Sequence, residues 1–267
     1  MRPRVALVIG AASGMGRATA LRLAADGWKV AAADRDEERL AGLAEQLEAA
    51  GAAGAMTLPL DLAGSAASVE AAVAEVVERL GPPWLLAVAA GVLEGGLALD
   101  ADETHWQRVL GVNFHGVVRA NVAAARAMVA AGEGGRIVNW SSNNAAGGTA
   151  GYAAYAASKA AMEAFSRSLA MELGPDGITV NTIRPGSVRT PMLGALTQAE
   201  IDAENARIPL GRFGEPEDAA GLVAFLASDD AGWISGADIP LDGGTLAARG
   251  RANVQQIRAR LAREAGR

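Results

Sequence analysis

Both tyrosines of the chain and one of its two lysines lie in one nine-residue stretch, GYAAYAASK, at positions 151–159. A tyrosine hydroxyl can give or take a proton, but its ordinary pKa of about 10 makes it a poor base near neutral pH. A fixed ammonium roughly 5 Å away, at an effective dielectric of about 20, contributes on the order of 3 kcal/mol and lowers that pKa by about two units. The stretch therefore predicts proton transfer at one of the two tyrosines.

Helix spacing separates the two tyrosines. Tyr155 and Lys159 are four residues apart, about 6 Å along a helix axis and on one face, so their charges can couple. Tyr152 stands seven residues before Lys159, about 10.5 Å along the axis, and the residues TAGY place it at or before the helix start. We therefore predict that Tyr155 is the acid/base and that Tyr152 lines a substrate pocket.

Composition excludes several other kinds of chemistry. The 267-residue chain is 51% hydrophobic and 20% charged, which is typical of a compact globular protein. It has no cysteine, which excludes thiolate nucleophiles and thiolate metal sites, and its two histidines leave little for a zinc site or a Ser-His-Asp triad. We predict no bound metal.

Net charge and hydropathy limit the binding partners and the cellular location that we expect. The net charge of -6 gives no reason to expect a nucleic acid or an anionic membrane as a partner. No apolar run reaches the roughly 20 residues of a membrane span, and the first residues do not have the pattern of a cleavable signal peptide. The predicted location is the cytoplasm.

Short apolar runs alternate with alanine-rich segments of helical period. The runs are apolar throughout, which fits a parallel sheet buried on both faces and predicts one α/β domain, a doubly wound Rossmann sheet of seven strands flanked by helices on both faces. We assign residues 1–244 to this domain and the arginine-rich residues 245–267 to an extension, either a short helix or a frayed tail. Predicted strands are 5–10, 29–34, 55–61, 84–91, 135–142, 178–186 and 234–244, and predicted helices are 14–26, 36–50, 65–80, 103–131, 153–174 and 215–228.

Three glycines stand where the first predicted strand ends and the next helix begins, in the sequence GAASGMG. Gly10, Gly14 and Gly16 allow the backbone angles of a strand-to-helix turn and the close approach of a pyrophosphate, and the helix N-terminus supplies free N–H groups. Glycines alone are weak evidence in a chain that has 33, but this loop follows a first strand and opens a helix. We therefore predict a dinucleotide-binding loop.

The second predicted strand ends on a carboxylate, Asp34, eighteen residues after Gly16. A carboxylate there accepts hydrogen bonds from the adenosine ribose and repels a 2'-phosphate, which favours NAD over NADP. Arg35 follows directly. Its side chain either contacts the adenine edge or lies in solvent, or it allows the 2'-phosphate of NADP to bind. Asp61, at the end of the third predicted strand, is placed to meet the adenine amino group or to cap the helix 65–80. The predicted cofactor is NAD, with NADP less favoured.

With the glycine loop, Asp34 and YAASK taken together, the chain resembles the short-chain dehydrogenase/reductase family over about residues 4–244. The family's TGxxxGxG corresponds to IGAASGMG, and its catalytic YxxxK corresponds to Tyr155 and Lys159. The family's catalytic serine, thirteen residues before the tyrosine, matches Ser142, and its catalytic asparagine matches Asn113. Its PG motif matches residues 185–186.

The resemblance implies hydride transfer between NAD(H) and a secondary alcohol or ketone in a homotetramer. Tyr155 would exchange the proton, Ser142 would position the substrate oxygen, and Asn113 would hold a water that joins Lys159 to solvent. The implied cofactor contacts are Gly10, Ser13, Gly14, Met15, Gly16, Asp34, Arg35, Asp61, Leu62, Ala89, Gly91, Tyr155, Lys159, Pro185, Gly186, Val188 and Thr190. By position, the substrate pocket would be lined by Leu93, Glu94, Asn144, Tyr152, Met192 and Leu193, under a mobile loop at 187–211.

The chain departs from the family pattern at two places, and both belong to the contact between the first turn and the fourth strand. Ile9 stands where the family has threonine, and VAAG at 88–91 stands where it has NNAG. We expect packing to replace the polar link between the first turn and the fourth strand, with only backbone groups available from Ala89; the alternative is weaker cofactor binding.

Two other functions stay open. One is an NADPH-dependent 3-oxoacyl-thioester reductase of the same family, and the other is a non-enzymatic dinucleotide-binding protein. The apolar side chains Met192 and Leu193 favour a small to medium neutral substrate, although Arg189 or Arg207 could bind an acidic group.

Overall fold

The computed structural model describes residues 3–248 and the single positions Arg258 and Arg263. The other residues of the predicted extension at 245–267 lie outside the described residues, so the choice between helix and tail stays open, as does the division at residue 244. The described strands are β1 (Val5–Ile9), β2 (Lys29–Asp34), β3 (Gly54–Pro59), β4 (Leu85–Val88), β5 (Gly135–Trp140), β6 (Ile178–Pro185) and β7 (Asp238–Leu241).

These strands form one parallel sheet in the order β3-β2-β1-β4-β5-β6-β7. The predicted doubly wound fold is confirmed. The chain order reverses between β1 and β4, and a crevice opens at such a point beyond the carboxyl ends of the strands. The turns that follow β1, β2 and β4 therefore meet at one edge of the sheet.

Helices cover both faces of the sheet. On one face α1 packs against α3 and α10, and on the other face α6 packs against α4 and α8. Because both faces are covered, all five residues of β1 are buried and apolar. The helices are α1 (Gly14–Ala25), α2 (Glu37–Leu40), α3 (Leu43–Ala50), α4 (Ala66–Arg79), α5 (Glu103–Leu110), α6 (Val117–Ala131), α7 (Asn143–Ala146), α8 (Ala153–Leu173), α9 (Gln198–Asn205) and α10 (Pro216–Leu226).

Two predicted helices are interrupted. The helix expected over 36–50 is split into α2 and α3 by Gly42, whose φ of 72° is left-handed and ends the helical ladder. The helix expected over 103–131 contains a π-helical turn, Gly111–Gly116, between α5 and α6. Such turns insert a residue and re-aim side chains, and they are frequent at functional sites.

Other boundaries also differ from the prediction. The seventh strand is four residues long and does not span 234–244, and the loop expected at 187–211 contains α9, which begins with a capping box between Thr197 and Glu200. Strand β3 ends before Asp61, and the N-cap of α4 is Ser65, so the capping role considered for Asp61 is wrong. No helix in residues 3–248 has the length and apolar composition needed to cross a membrane.

Candidate active site

The turn from β1 into α1 is built so closely that only glycine fits at two positions. Gly10 has a φ of 90°, and a Cβ there would lie 2.5 Å from the Ala90 nitrogen. A Cβ on Gly16 would lie 2.0 Å from the Gly10 oxygen. Ser13 is the N-cap of α1 without a side-chain cap, and the first turn carries no acidic residue. This uncapped helix start lines a cavity, and its N–H groups and partial positive charge fit a pyrophosphate.

Asp34 lines the same cavity at the end of β2. Its carboxylate accepts hydrogen bonds from the backbone N–H of Ala12 at 3.0 Å and of Asp36 at 3.1 Å. Arg35 and Arg39 also line this end, and Arg39 forms an ion pair with Asp36 at 3.3 Å. The end of the cavity predicted to hold adenosine therefore carries charges of both signs.

The apolar departures at Ile9 and in VAAG form one packed contact. Ile9 and Val88 are register partners on adjacent strands, and both side chains are in the core. The backbone N–H groups of Ala89 and Ala90 both donate to the Ile9 oxygen, at 2.8 and 3.1 Å. Packing and backbone bonds thus hold the first turn to the fourth strand, as expected.

Tyr155, Ser142 and Lys159 meet in a second cavity of about 560 Å³. Tyr152 is the N-cap of α8, which puts Tyr155 in the first turn and Lys159 one turn further. The Lys159 Nζ lies 5.8 Å from the centroid of the Tyr155 ring and donates to the Trp140 oxygen at 2.7 Å. The Ser142 hydroxyl lines the same cavity, close enough to Tyr155 to influence its pKa. Helix spacing and the end of β5 together produce this cluster.

Asn113 lies in the π-helical turn, fully buried and behind the cavity wall. Its Oδ1 accepts from the Val92 N–H at 2.8 Å, and its Nδ2 donates to the Val92 oxygen at 2.9 Å and to Ser158 Oγ at 3.2 Å. A Cβ on Gly91 would lie 3.1 Å from Asn113 Oδ1 and 3.4 Å from Lys159 Nζ, so Gly91 keeps these two groups close. The water expected at Asn113 stays a prediction.

The two cavities adjoin, since they share five lining residues: Met15, Ala89, Gly91, Thr190 and Met192. Every residue named above as an implied cofactor contact lines one cavity or the other. One cleft therefore runs from Asp34 to Tyr155, as an extended dinucleotide would require.

The predicted substrate residues divide into two groups. Leu93, Asn144, Met192 and Leu193 line the second cavity. Two others, Glu94 and Tyr152, are absent from its lining. Glu94 forms a two-pronged ion pair with Arg108, which donates from Nε to Oε1 at 2.9 Å and from Nη2 to Oε2 at 2.7 Å. The Tyr152 ring packs on the Gly95 backbone, in a cluster with Leu93 and Trp106.

Comparison with known proteins gives the family. A family model described as enoyl-(acyl carrier protein) reductase matches residues 10–245. The short-chain dehydrogenase/reductase eriH of Hericium erinaceus is 40% identical over 247 residues, which cover 91% of this chain and 97% of that protein. The chain belongs to the short-chain dehydrogenase/reductase family. The predicted membership of this oxidoreductase family is confirmed.

Other short-chain dehydrogenase/reductases differ in the activities that their names give. The (3R)-3-hydroxyacyl-CoA dehydrogenase of Canis lupus familiaris is 38% identical and covers 91% of this chain and 96% of its own. The meso-2,3-butanediol dehydrogenase of Serratia marcescens is also 38% identical, over 94% of this chain and 98% of its own.

A solved structure bears on the cofactor. A variant of actinorhodin polyketide ketoreductase, solved with NADPH, has a TM-score of 0.85 at 35% identity. The match covers 91% of this chain and 97% of that one. Because that relative was solved with NADPH, family membership does not rank NADP below NAD.

Burial, more than the lysine, sets the protonation of Tyr155. Burial raises the pKa of Tyr155 above its ordinary value, and the Ser142 hydroxyl acts in the opposite direction. The sequence predicted a pKa lowered by Lys159, and this is not found, because the loss of hydration of the phenolate outweighs the attraction. Burial lowers the pKa of Lys159 to about 8, while the charge of Glu163 acts to raise it. In the protein alone, Tyr155 is therefore a protonated acid beside a lysine whose pKa is about 8.

Several cavity residues were missed from the sequence. Asn143 directly follows Ser142, and its Nδ2 donates to Asp242 at 3.0 Å, while its buried Oδ1 has no partner among the described residues. Its adjacency to Ser142 was the available signal. Trp140, two residues before Ser142, carried the same signal. The others come from separate chain segments, and no local pattern marks them: Thr149, Glu204 and Thr245. Arg207, considered above for an acidic group, also lines this cavity.

Proposed function

We propose that this short-chain dehydrogenase/reductase transfers a hydride between NAD(H) and a secondary alcohol or its ketone, with Tyr155 as the acid/base. The observation that carries the proposal is the Tyr155–Ser142 pair beside the buried ammonium of Lys159, open to the cleft that begins at the glycine loop. A non-enzymatic nucleotide-binding protein has no use for a buried lysine at this cost of desolvation.

The chain's own residues would handle the substrate oxygen and its proton. When bound, the nicotinamide supplies or accepts the hydride. In ketone reduction, Ser142 and Tyr155 hold the carbonyl oxygen and Tyr155 donates its proton, which its raised pKa keeps available at neutral pH. Lys159, with a pKa of about 8, can return that proton, and Asn113 is proposed to hold the water that connects Lys159 to solvent.

In alcohol oxidation the same groups act in reverse. Tyr155 must then accept the proton as a phenolate, which burial disfavours. The ammonium of Lys159, 5.8 Å from the ring centroid, stabilises that phenolate. We therefore expect reduction to be the faster direction near neutral pH.

We further propose that NAD is preferred, because Asp34 lines the cleft at the end of β2, where a carboxylate would bind the ribose and repel a 2'-phosphate. Asp34→Ala should change the ratio of kcat/KM for NADH to that for NADPH by about tenfold or more toward NADPH, a shift of about 1.4 kcal/mol. Asp61→Ala is the matched control, since Asp61 lines the same cavity and is predicted to meet the adenine, which both cofactors share. It should weaken both cofactors alike. An unchanged ratio in the Asp34 variant would contradict this part of the proposal.

NADP is the second candidate cofactor. Arg35 and Arg39 line the same end of the cleft as Asp34, and guanidinium groups pair readily with a phosphate. The ketoreductase relative solved with NADPH supports the same possibility. The ratio of kcat/KM for NADH to that for NADPH in the wild-type protein distinguishes NAD from NADP directly.

A small to medium neutral ketone or alcohol is the proposed substrate, as the walls Met192 and Leu193 and the butanediol dehydrogenase relative support. A 3-oxoacyl thioester is the second candidate, supported by the hydroxyacyl-CoA dehydrogenase relative and by Arg207 in the cavity wall. Oxidation of NADH and NADPH, followed by absorbance against a panel of small ketones, diketones and 3-oxoacyl thioesters, tests both. Arg207→Ala should slow only thioester reduction if thioesters are the substrates.

We also propose, from the family resemblance, that the protein is a homotetramer, and we keep the cytoplasm as its proposed location.

A further inference from the structure

A buried carboxylate lies directly behind the catalytic groups. Glu163 stands on α8 one helical turn beyond Lys159, and its exposed fraction is 3%. A carboxylate removed from water is costly unless charged and hydrogen-bonding groups surround it. The partners of Glu163 therefore indicate why the chain places a charge here.

Those partners come from the ends of two strands. Arg184 of β6 donates from Nε to Oε1 of Glu163 at 2.6 Å and from Nη2 to Oε2 at 2.7 Å. The hydroxyl of Ser141, the residue after β5, donates to the same Oε1. Two-pronged pairs of this kind fix orientation as well as distance.

A second carboxylate also binds Arg184. Asp238 of β7 accepts from Arg184 Nη2 at 3.2 Å and from Thr182 Oγ1 at 2.5 Å, and it also pairs with Arg167. Arg184 is thus bound between Glu163 and Asp238. Of these two carboxylates, Glu163 is the one that lies next to Lys159 on the same helix.

The sequence neighbours of these partners belong to the site. Ser141 precedes Ser142, and Arg184 precedes residues 185–186 in the wall of the cavity. One carboxylate on the helix that carries Tyr155 and Lys159 therefore fastens the two strand ends that complete the cleft. Asn113 and the Trp140 carbonyl, which approach Lys159 from other elements, carry no charge.

We propose that Glu163 is a positioning residue for hydride transfer: it holds the ends of β5 and β6 against α8, and its charge keeps Lys159 in the ammonium form. This inference rests on the proposed function. The charged groups that act on Glu163 are Lys159 from its own helix and Arg184 from β6, and Asp238 of β7 pairs with Arg184 and with Arg167 of α8. Burial lowers the pKa of Lys159 to about 8 and the charge of Glu163 opposes that effect, so removing the charge must lower the pKa further.

The test is Glu163→Gln, which keeps the shape of the side chain and removes its charge. The rate of ketone reduction falls at high pH as the Tyr155–Lys159 pair loses its proton. In the variant we expect this alkaline limb of kcat to move to lower pH by on the order of one unit, the effect of one neighbouring charge after partial cancellation by Arg184. The kcat on the low-pH plateau should also fall, because Ser142 is held less firmly.

Asp238→Asn is the matched control. It weakens the hold on Arg184 without removing the charge beside Lys159, so it should leave the alkaline limb in place. Glu163→Asp keeps the charge but shortens the side chain, so it should lower kcat and also leave the limb in place. If Glu163→Gln does not fold, Glu163→Asp still tests the inference. An alkaline limb of kcat that moves in Glu163→Asp, which keeps the charge, would contradict the proposed role of that charge.

An alkaline limb that stays unmoved in folded Glu163→Gln, or that moves equally far in Asp238→Asn, would overturn the inference. Nucleotide binding by tryptophan fluorescence verifies that each variant is folded. Failure here is distinguishable from failure of the proposed function, because these pH profiles are measured only on protein whose wild-type form reduces a ketone and whose Tyr155→Phe variant does not.

Discussion

At the scale of the residue, spacing identifies Tyr155 and Lys159, but the burial of both side chains decides how they behave. Their four-residue separation is visible in the sequence. The loss of hydration that raises the pKa of Tyr155 and lowers that of Lys159 depends on residues far along the chain. A local pattern therefore predicts the pair and its contact but not the protonation state.

The limit of local patterns also explains why Glu94 and Tyr152 do not line the substrate cavity. Their positions next to the cleft could be read from the sequence, but the directions of their side chains could not. Arg108, fourteen residues away, draws the Glu94 carboxylate into an ion pair, and the Gly95 backbone packs against the Tyr152 ring.

Lys159 should make the stability of the protein depend on pH in a defined direction. Its pKa is 10.5 ordinarily and about 8 in the folded chain, so between these values the unfolded chain binds more protons and stability rises with pH. The unfolding free energy of the wild type minus that of Lys159→Met should increase by about 1.4 kcal/mol per pH unit between about pH 8 and pH 10. Urea unfolding of both proteins at about pH 8 and about pH 10 measures this difference. A difference that stays constant or decreases would contradict the conclusion that burial lowers the pKa of Lys159.

At the scale of the element, all seven predicted strands are present in the described part of the chain, whereas two of the six predicted helices are interrupted. A strand buried on both faces is a short continuous apolar run, which differs from the periodic pattern of the alanine-rich helices. The break at Gly42 and the π-helical turn at Gly111–Gly116 leave the apolar content almost unchanged, so periodicity does not show them. That turn nevertheless places Asn113 beside Val92.

The start of α1 should tolerate no side chain at Gly16. A Cβ there would meet the Gly10 oxygen at 2.0 Å, so Gly16→Ala must displace the loop between β1 and α1. We expect a loss of about 1–3 kcal/mol in unfolding free energy, typical of overpacking, and weaker NAD binding. Calorimetry of unfolding and titration with NAD measure the two effects.

Gly221→Ala is the control within α10. A Cβ there meets no atom within 4 Å and its φ is not in the left-handed region, so stability should stay the same or rise by about 0.5–1 kcal/mol. Equal stability and NAD affinity for wild type and Gly16→Ala would contradict the close packing of the turn.

At the scale of the whole molecule, the parallel topology explains why residues from Gly10 to Thr245 meet in one cleft. Every loop that follows the carboxyl end of a strand reaches the same edge of the sheet, so the order of motifs along the sequence was enough to predict the nucleotide end. The substrate end is formed by α7, α9 and the residues after β7, which carry no shared motif. The homotetramer stays a prediction from the family.

The central claim is that Tyr155 exchanges the proton with the substrate oxygen, and Tyr155→Phe tests it most directly. Turnover and NAD binding should be measured together on this variant, with Tyr152→Phe as a control that removes the other tyrosine hydroxyl. We predict that Tyr155→Phe loses turnover by on the order of a hundredfold or more while it still binds NAD, and that Tyr152→Phe retains turnover. A Tyr155→Phe variant that turns over at a rate close to wild type would contradict the account.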